Sequence, residues 1–326
     1  MNKLEEAVLF LVFNRLDVTK QVFARIRQVK PTKLYIACDG PRPHKSGEDI
    51  IVAGLRNYLL SSIDWQCEVK TLFRDVNLGC GMAVSDGISW FFDNEPMGII
   101  LEDDCIPSQS FFHFCHELLV KYQDDRRIWH IGGSSFLEHN DLQDSSYYFG
   151  AMSQIWGWAT WADRWREYDI HMKKYDNFYK HKYLDGIANT LKARVWHQYL
   201  FKDNLGKTSN WDCQWYFTVL INHGLCITPK INLIKNIGFD LASSANVHGK
   251  DSVLSEMVNN EIDFPLVHPQ TFCVDTLSDR KFFKWRAKGF IWYRLWIKLL
   301  LHPLMYIDEK FWDKKLLTFY KKICHR

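Results

Sequence analysis

Gly98-Ile99-Ile100-Leu101-Glu102-Asp103-Asp104-Cys105-Ile106-Pro107 is the stretch on which the reading of this chain turns. An apolar run long enough for one buried strand ends, without a spacer, in three consecutive carboxylates. Three like charges beside so little water repel one another, and they are costly unless a cation or hydrogen-bond donors compensate them. Strand alternation puts Glu102 and Asp104 on one side and Asp103 on the other. Hard divalent ions take oxygen ligands and keep waters or substrate phosphates in their shell, so Mg²⁺ or Mn²⁺ suits such a cluster. An exposed acidic turn leading into a helix capped by Ser108 is the plainer alternative.

The pattern on either side sets the architecture. Strand-like runs at Val8–Phe13, Lys33–Cys38 and Val69–Phe73 precede Gly98–Leu101. The first and last are almost wholly apolar, as expected of strands covered on both faces. Helical spacing fills the gaps. Asp17 stands where it can cap a helix carrying Val18, Val22, Ile26 and Val29, and residues 49–60 and 82–92 give two more. Ser108 opens a fourth, through Phe112, Cys115, Leu118, Leu119 and Tyr122. This alternation predicts an α/β fold with a doubly wound, mostly parallel sheet. Ligands bind such sheets beyond the carboxyl ends of the strands, which directs attention to Asn14-Arg15, Asp39-Gly40, Arg74–Gly81 and Glu102–Asp104. Residues 140–280 are less regular, with strand-like runs around Ile227, Ile231 and Ile234 and with Trp-rich loops. No internal repeat or Pro/Gly/Ser-rich linker interrupts them. The expected organisation is one domain over residues 1–278 and a basic amphipathic helical tail over residues 279–326.

A chain of 326 residues, 47% hydrophobic and 24% charged, can bury a large core, which excludes a disordered or fibrous protein. Its 14 Trp suggest apolar platforms beyond core filling. The net charge of +3 conceals an asymmetry: residues 280–326 carry 13 Lys and Arg against 3 Asp and Glu, and the rest holds 28 basic and 35 acidic side chains. A mildly acidic body with a strongly basic end points to an anionic partner surface. Nine Cys form no C-x-x-C pair and no zinc-like spacing, and Cys38, Cys105 and Cys273 lie in apolar runs. Free thiols in a reducing, cytosolic compartment are expected. The apolar run ending at Phe13 follows acidic residues and precedes no small-residue cleavage site, so it reads as a strand and not as a signal peptide. No apolar stretch reaches the roughly 18 residues that a bilayer span needs.

The run Ile100-Leu101-Glu102-Asp103-Asp104-Cys105-Ile106-Pro107-Ser108-Gln109-Ser110-Phe111-Phe112 resembles the Glu-Asp-Asp segment, followed shortly by Phe-Phe, of GT-A fold glycosyltransferases related to N-acetylglucosaminyltransferase I. Short islands continue the likeness in order at Phe13–Arg15, Cys38–Gly40, Trp156–Trp161, Asn210–Asp212 and Gly238–Gly249. Arg74–Gly79 is similar to a segment of bacterial nucleotide-diphospho-sugar transferases. The resemblance implies the GT-A fold and assigns roles. Asp104 would hold the metal, while Glu102 and Asp103 would contact the donor's sugar and ribose. Asp39 would accept from a uracil ring N–H, although Asp-Gly-Pro is also a strong turn signal. Arg15 would lie near the base or diphosphate, with a surface ion pair as the alternative. Arg74 would contact a phosphate or the donor, beside Gly79 and Gly81, which let backbone approach a ligand closely. Trp158 and Trp211 would offer flat apolar faces to the donor's sugar, core packing being the alternative for each.

Asp212, ahead of a helix-like run, would be the general base of an inverting transfer. Partial burial beside Trp211 would strengthen it as a base, and a helix N-cap is its plainer role. Cys213 stands where a second Asp is common in the family. His248 would be a further metal ligand, against the alternative of a surface histidine. In the tail, Lys284, Arg286, Lys288, Arg294 and Lys298 recur at helical spacing among Trp, Phe, Ile and Leu. A basic amphipathic helix with Trp suits an anionic membrane surface, and no nucleic-acid motif accompanies it. The expected protein is an inverting glycosyltransferase dependent on Mn²⁺ or Mg²⁺. It would move a sugar from a nucleotide-sugar donor, a UDP-sugar, to a cell-surface glycan or lipid-linked glycan acceptor. Its place would be the inner face of the cytoplasmic membrane. A sugar-nucleotide-forming nucleotidyltransferase is the rival enzyme, although Asn14-Arg15-Leu16-Asp17 lacks the Gly-rich loop that it would need. A non-catalytic peripheral membrane protein is the other rival.

Overall fold

The computed structural model describes residues 4–136, 145–184, 190–240 and 254–286. Strands and helices alternate through the first third of the chain: β1 (Val8–Val12), α1 (Leu16–Val29), β2 (Lys33–Cys38), α2 (Glu48–Ser61), β3 (Glu68–Phe73), α3 (Cys80–Phe92) and β4 (Met97–Glu102). The strands pair in parallel in the order β3-β2-β1-β4, the arrangement of a doubly wound sheet. Alternation explains why β1 is apolar throughout. Val8, Phe10 and Val12 pack with Val22, Phe23 and Ile26 of α1 and with Val52 and Leu55 of α2. Leu9 and Leu11 face the other way, onto Ile88 and Phe91 of α3. The fold class is the α/β, mostly parallel sheet expected from the sequence.

Beyond β4 the chain adds β5 (Cys105–Pro107), α4 (Gln109–Lys121), β6 (Ile128–Gly132), β7 (Tyr147–Gly150), β8 (Trp158–Trp161), α5 (Ala162–Trp165) and α6 (Tyr175–Lys180). Then follow α7 (Leu191–Asn204), α8 (Asp212–Ile221), β9 (Leu225–Pro229), β10 (Ile234–Asn236) and α9 (Thr276–Arg286). β8 lies antiparallel between β4 and β6, β9 runs parallel to β6, and β7 closes that edge. The Trp-rich segment expected as a loop is therefore a central strand, with Trp158 to Trp161 all buried and registered against Met97–Ile100. A strand of 4 residues shows too little periodicity to be recognised in sequence. Phe178, Phe201 and Phe217 join α6, α7 and α8 in a separate apolar cluster.

Two helix starts differ from expectation. The cap position of α1 is Arg15, and Asp17 stands inside the first turn without a capping bond. Ser108 does occupy the cap position of α4, but its hydroxyl lies 3.2 Å from Ser110 Oγ and caps nothing. Glu261 takes over from far along the chain, accepting from the backbone N–H of Gln109 at 3.0 Å and of Ser110 at 2.7 Å. A carboxylate there satisfies orphan N–H groups and the helix dipole together.

At the far end, Asp279 of α9 accepts from the Ala151 N–H at 2.9 Å, and the buried Phe282 packs 5.7 Å from Phe136. The expected boundary at residue 279 thus falls inside a helix that rests on the sheet. Residues 287–326, most of the basic tail, lie outside the described residues. The described cysteines are free thiols, and among the described residues no helix is long and apolar enough to cross a membrane.

Two stability measurements follow from these contacts. Glu261→Ala should lower the unfolding free energy by about 1 kcal/mol in a denaturant titration, and Glu261→Gln, which keeps an acceptor, by less. Asp279 gives a pH dependence. Burial raises its carboxyl to about 7 against the pull of the Ala151 N–H, and Asp275 adds to the rise. The unfolded chain releases this proton near roughly pH 4, so the contribution of Asp279 to stability falls as pH rises from there to about 7 and is level outside that window. Asp279→Asn should therefore gain thermal stability over the wild type at pH 8 and match it at pH 4.

Candidate active site

Because β1 to β4 are parallel, their carboxyl ends share one edge, and the segments that follow them converge there. Arg15, just after β1, reaches the end of β4. Its Nε donates to Asp103 Oδ2 at 3.3 Å, its Nη2 donates to Asp103 Oδ1, and its Nη1 lies 3.1 Å from Asp104 Oδ2. Along β4, Ile99 and Leu101 belong to the core on the α1 side and Ile100 to the core on the α3 side. Glu102 consequently projects toward α3, and Asp103 back toward α1 and Arg15. Burial pushes the Glu102 carboxyl above the usual carboxylate range, and Asp104, Asp103 and Asp212 add to the rise against Arg15. Burial raises Asp103 as well, with the Arg15 guanidinium holding it down.

The heads of α3 and α8 complete the α3 side. A Cβ on Gly81 would run into the Thr208 carbonyl and the Asn210 backbone. The start of α3 is thus pressed against the segment leading into α8, which brings Cys80 and Asp212 within electrostatic reach of Glu102. Cys80 is itself exposed, and its thiol is raised by the protein packed around it and by the nearby Glu102 and Asp212. Nothing in the sequence singled Cys80 out; its place after β3, at the carboxyl edge, was the available signal. Asp212 is the first residue of α8 and is exposed, not half-buried as expected, and Asn210 Nδ2 lies 3.4 Å from its Oδ1.

A small antiparallel ribbon seats Asp104. β10 pairs with β5, Asn236 opposite Cys105, and the Ile237 N–H donates to the Asp104 carbonyl at 2.9 Å. Gly238 follows, with its N–H on Asn236 Oδ1 at 2.7 Å. It lies so close to the Asp104 carboxylate that a Cβ there would collide with it.

Other residues assigned to the donor are engaged elsewhere. Asp39 has the turn role: its carboxylate accepts from Gly40 N and Asn77 Nδ2 at 2.9 Å and from Leu78 N and Gly79 N at 3.0 Å. Both oxygens are taken up in holding the loop after β3, which leaves little acceptor capacity for a base. Arg74 pairs with Asp86 of α3, and its Nη1 is buried without a hydrogen-bond partner. Gly81 makes its close approach to the chain's own backbone instead of a ligand. Trp158 and Trp211, 1% and 3% exposed, stack on each other at 5.7 Å inside the core. The other neighbours of Trp158 are Trp165, Trp215 and the buried His130. His130 accepts from Trp215 Nε1 at 3.2 Å, its Nε2 faces the Gln154 carbonyl at 2.9 Å, and burial lowers it to about 4. Their rings are therefore covered by protein and not presented as sugar platforms. His248 lies outside the described residues.

Glu102 and Asp104 offer oxygen donors whose charge one guanidinium does not neutralise, the chemistry that a hard divalent cation fits. Among the described residues, no three His, Cys, Asp or Glu side chains converge into a ready-made shell. Mg²⁺-like ions are commonly held by one or two carboxylates together with substrate phosphates.

The chain matches no protein-family model and no curated protein. Among solved structures it is similar to the mannosyltransferase PcManGT from Pyrobaculum calidifontis, in complex with GDP-Man and Mn²⁺, at 8% identity and a TM-score of 0.36. That alignment covers 49% of this chain and 46% of the other, so the chain spans less than half of that protein's length. The glycosyltransferase GlyE from Streptococcus pneumoniae shares 14% identity over 63% of this chain and 45% of its own, with a TM-score of 0.32. An apo UDP-glucose pyrophosphorylase shares 9% over 68% and 90%, with a TM-score of 0.34. Likenesses this distant identify neither a reaction nor a substrate.

The placement of Trp158 can be tested by stability. Trp158→Ala should cost about 3–5 kcal/mol of unfolding free energy, as for a large core residue. A ring exposed as a ligand platform would cost little, and a denaturation curve separates the two.

Proposed function

We propose that this chain is a divalent-metal-dependent, inverting glycosyltransferase of GT-A type that carries a sugar from a nucleoside diphosphate donor to a hydroxyl of a glycan. The observation that carries the reading is the convergence at one sheet edge of Glu102, Asp103 and Asp104 with Arg15 and with the exposed Asp212. Asp104 and Glu102 would hold the ion, whose chemistry when bound is to neutralise charge on a leaving diphosphate. Asp103 holds the Arg15 guanidinium at the same edge, where a second positive group favours a diphosphate. Asp212, open to solvent at the head of α8, accepts the proton of the attacking hydroxyl as its oxygen bonds to the anomeric carbon. Attack from the face opposite the leaving group inverts that carbon. A UDP-sugar is the donor in this reading, and the acceptor is a cell-surface or lipid-linked glycan. The basic segment 280–326 would hold the protein at the anionic inner face of the membrane.

Calorimetric titration with UDP and with GDP, each with and without Mn²⁺, tests the donor and the metal together. UDP should bind only with Mn²⁺, and Asp104→Ala should weaken that binding by about tenfold or more, the scale of a lost charged contact. Asp212→Asn should keep donor affinity and lower turnover by about 10²–10⁴-fold. Normal turnover by that variant would remove Asp212 as the base. Tight binding of a nucleoside triphosphate together with a sugar phosphate, in place of UDP, would favour nucleotidyl transfer. Binding of no nucleotide would leave the non-catalytic membrane protein.

A further inference from the structure

Among the described residues, the ion pairs made by Asp103 and Asp104 all come from Arg15. The two contacts are unequal. Nε and Nη2 grip both oxygens of Asp103, whose side chain is 4% exposed, in a two-point bond. Asp104, with a side chain 15% exposed, is reached through Nη1 alone, at 3.1 Å. A bidentate guanidinium–carboxylate pair is geometrically fixed, whereas a single charged contact to a more open carboxylate is the easier one to give up. The Arg15 backbone is itself held at the head of α1, its carbonyl accepting from Thr19 N at 2.9 Å and Thr19 Oγ1 at 2.8 Å. The guanidinium can therefore leave Asp104 without leaving the site.

Resting on the reading above, we propose that Arg15 is the resident counter-cation of the acidic cluster, and that a divalent cation gains Asp104 by displacing Arg15 Nη1 from it. Asp103 then retains the guanidinium at the edge of the site, where its freed N–H groups can meet the donor's diphosphate. The same arginine opposes a bare metal ion and favours the metal bound together with its nucleotide. Loading is thereby ordered toward the metal–nucleotide pair, because a cation arriving alone must compete with a positive charge already in place. Glu102, Cys80 and Asp212 face the cluster from β4, α3 and α8 and bring no cation of their own.

The test uses the full chain with Arg15→Gln, Arg15→Lys, Asp104→Ala and the Arg15→Gln/Asp104→Ala pair. Mn²⁺ is titrated calorimetrically without nucleotide, and thermal midpoints are recorded with and without Mn²⁺. Arg15→Gln should bind bare Mn²⁺ about tenfold more tightly than the wild type, a common size for coupling between competing ligands. Its midpoint should fall without metal and rise more on adding Mn²⁺ than that of the wild type. Its affinity for UDP at saturating Mn²⁺ should drop about tenfold. Arg15→Lys keeps the charge and should stay near wild type for bare Mn²⁺, which a merely structural arginine would not require. Adding Asp104→Ala should abolish the gain of Arg15→Gln. Equal Mn²⁺ affinity in wild type and Arg15→Gln, with Asp104→Ala still losing it, would overturn the displacement and leave the proposed function standing. Mn²⁺ binding by none of the variants would overturn the metal itself, and the displacement with it.

Discussion

A carboxylate leaving water for the end of a buried strand must be met by charge or by hydrogen-bond donors, and the three that end β4 are met differently. Asp103 turns toward α1 and is gripped by Arg15. Asp104 shares that arginine, and its backbone is pinned by the β5–β10 ribbon. Glu102 turns the other way, toward Cys80 and Asp212, and is left among negative neighbours. This imbalance sets the character of the whole carboxyl edge: the backbone is well held, and the charge is not.

The fold was readable to the extent that burial imposes a period on the sequence. β1 and β4 must be apolar on both faces because helices cover both, so their runs stand out. α1 repeats Val18, Val22, Ile26 and Val29 because only one of its stripes is buried. β8 escaped notice because 4 residues mixing Trp, Ala and Thr cannot display a period. Its Trp158 ring looked like a ligand platform, and it fills the space between β4, β6 and α8. Glu261 was hidden for another reason. Its partner is a helix start 152 residues away, and local spacing carries no trace of that distance. Of the candidate site, the acidic cluster and Arg15 could be placed at one edge from the order of strands alone. That Arg15 is bonded to the carboxylates, and that Cys80 stands beside them, depends on how α1 and α3 are packed.

Asp39, Gly81 and Gly238 share a lesson about residues that look poised for a ligand. Each lies at the carboxyl edge, and each is occupied by the protein itself: Asp39 by the loop after β3, Gly81 by the segment before α8, and Gly238 by the Asp104 carboxylate. A site assembled from loops has to hold those loops still, and the residue types that do so are the ones that would also bind phosphates and bases. Telling the two uses apart requires an inventory of the lone pairs already committed, which no motif contains.

The β5–β10 ribbon also has a bearing on how the chain comes to be folded. Cys105 and Asn236 lie 131 residues apart, so at synthesis rates of roughly 5–20 residues per second β5, which directly follows the carboxylates, waits on the order of ten seconds for β10 to appear. The parallel half, β3-β2-β1-β4, has all its strands by then and can collapse early around β1. The acidic edge is therefore among the last features to be completed, through contacts of high sequence separation that form slowly. In a nascent or partly unfolded chain the parallel half of the sheet is formed while Asp104 still lacks its ribbon, which makes assembly of this edge a step separate from collapse of the core.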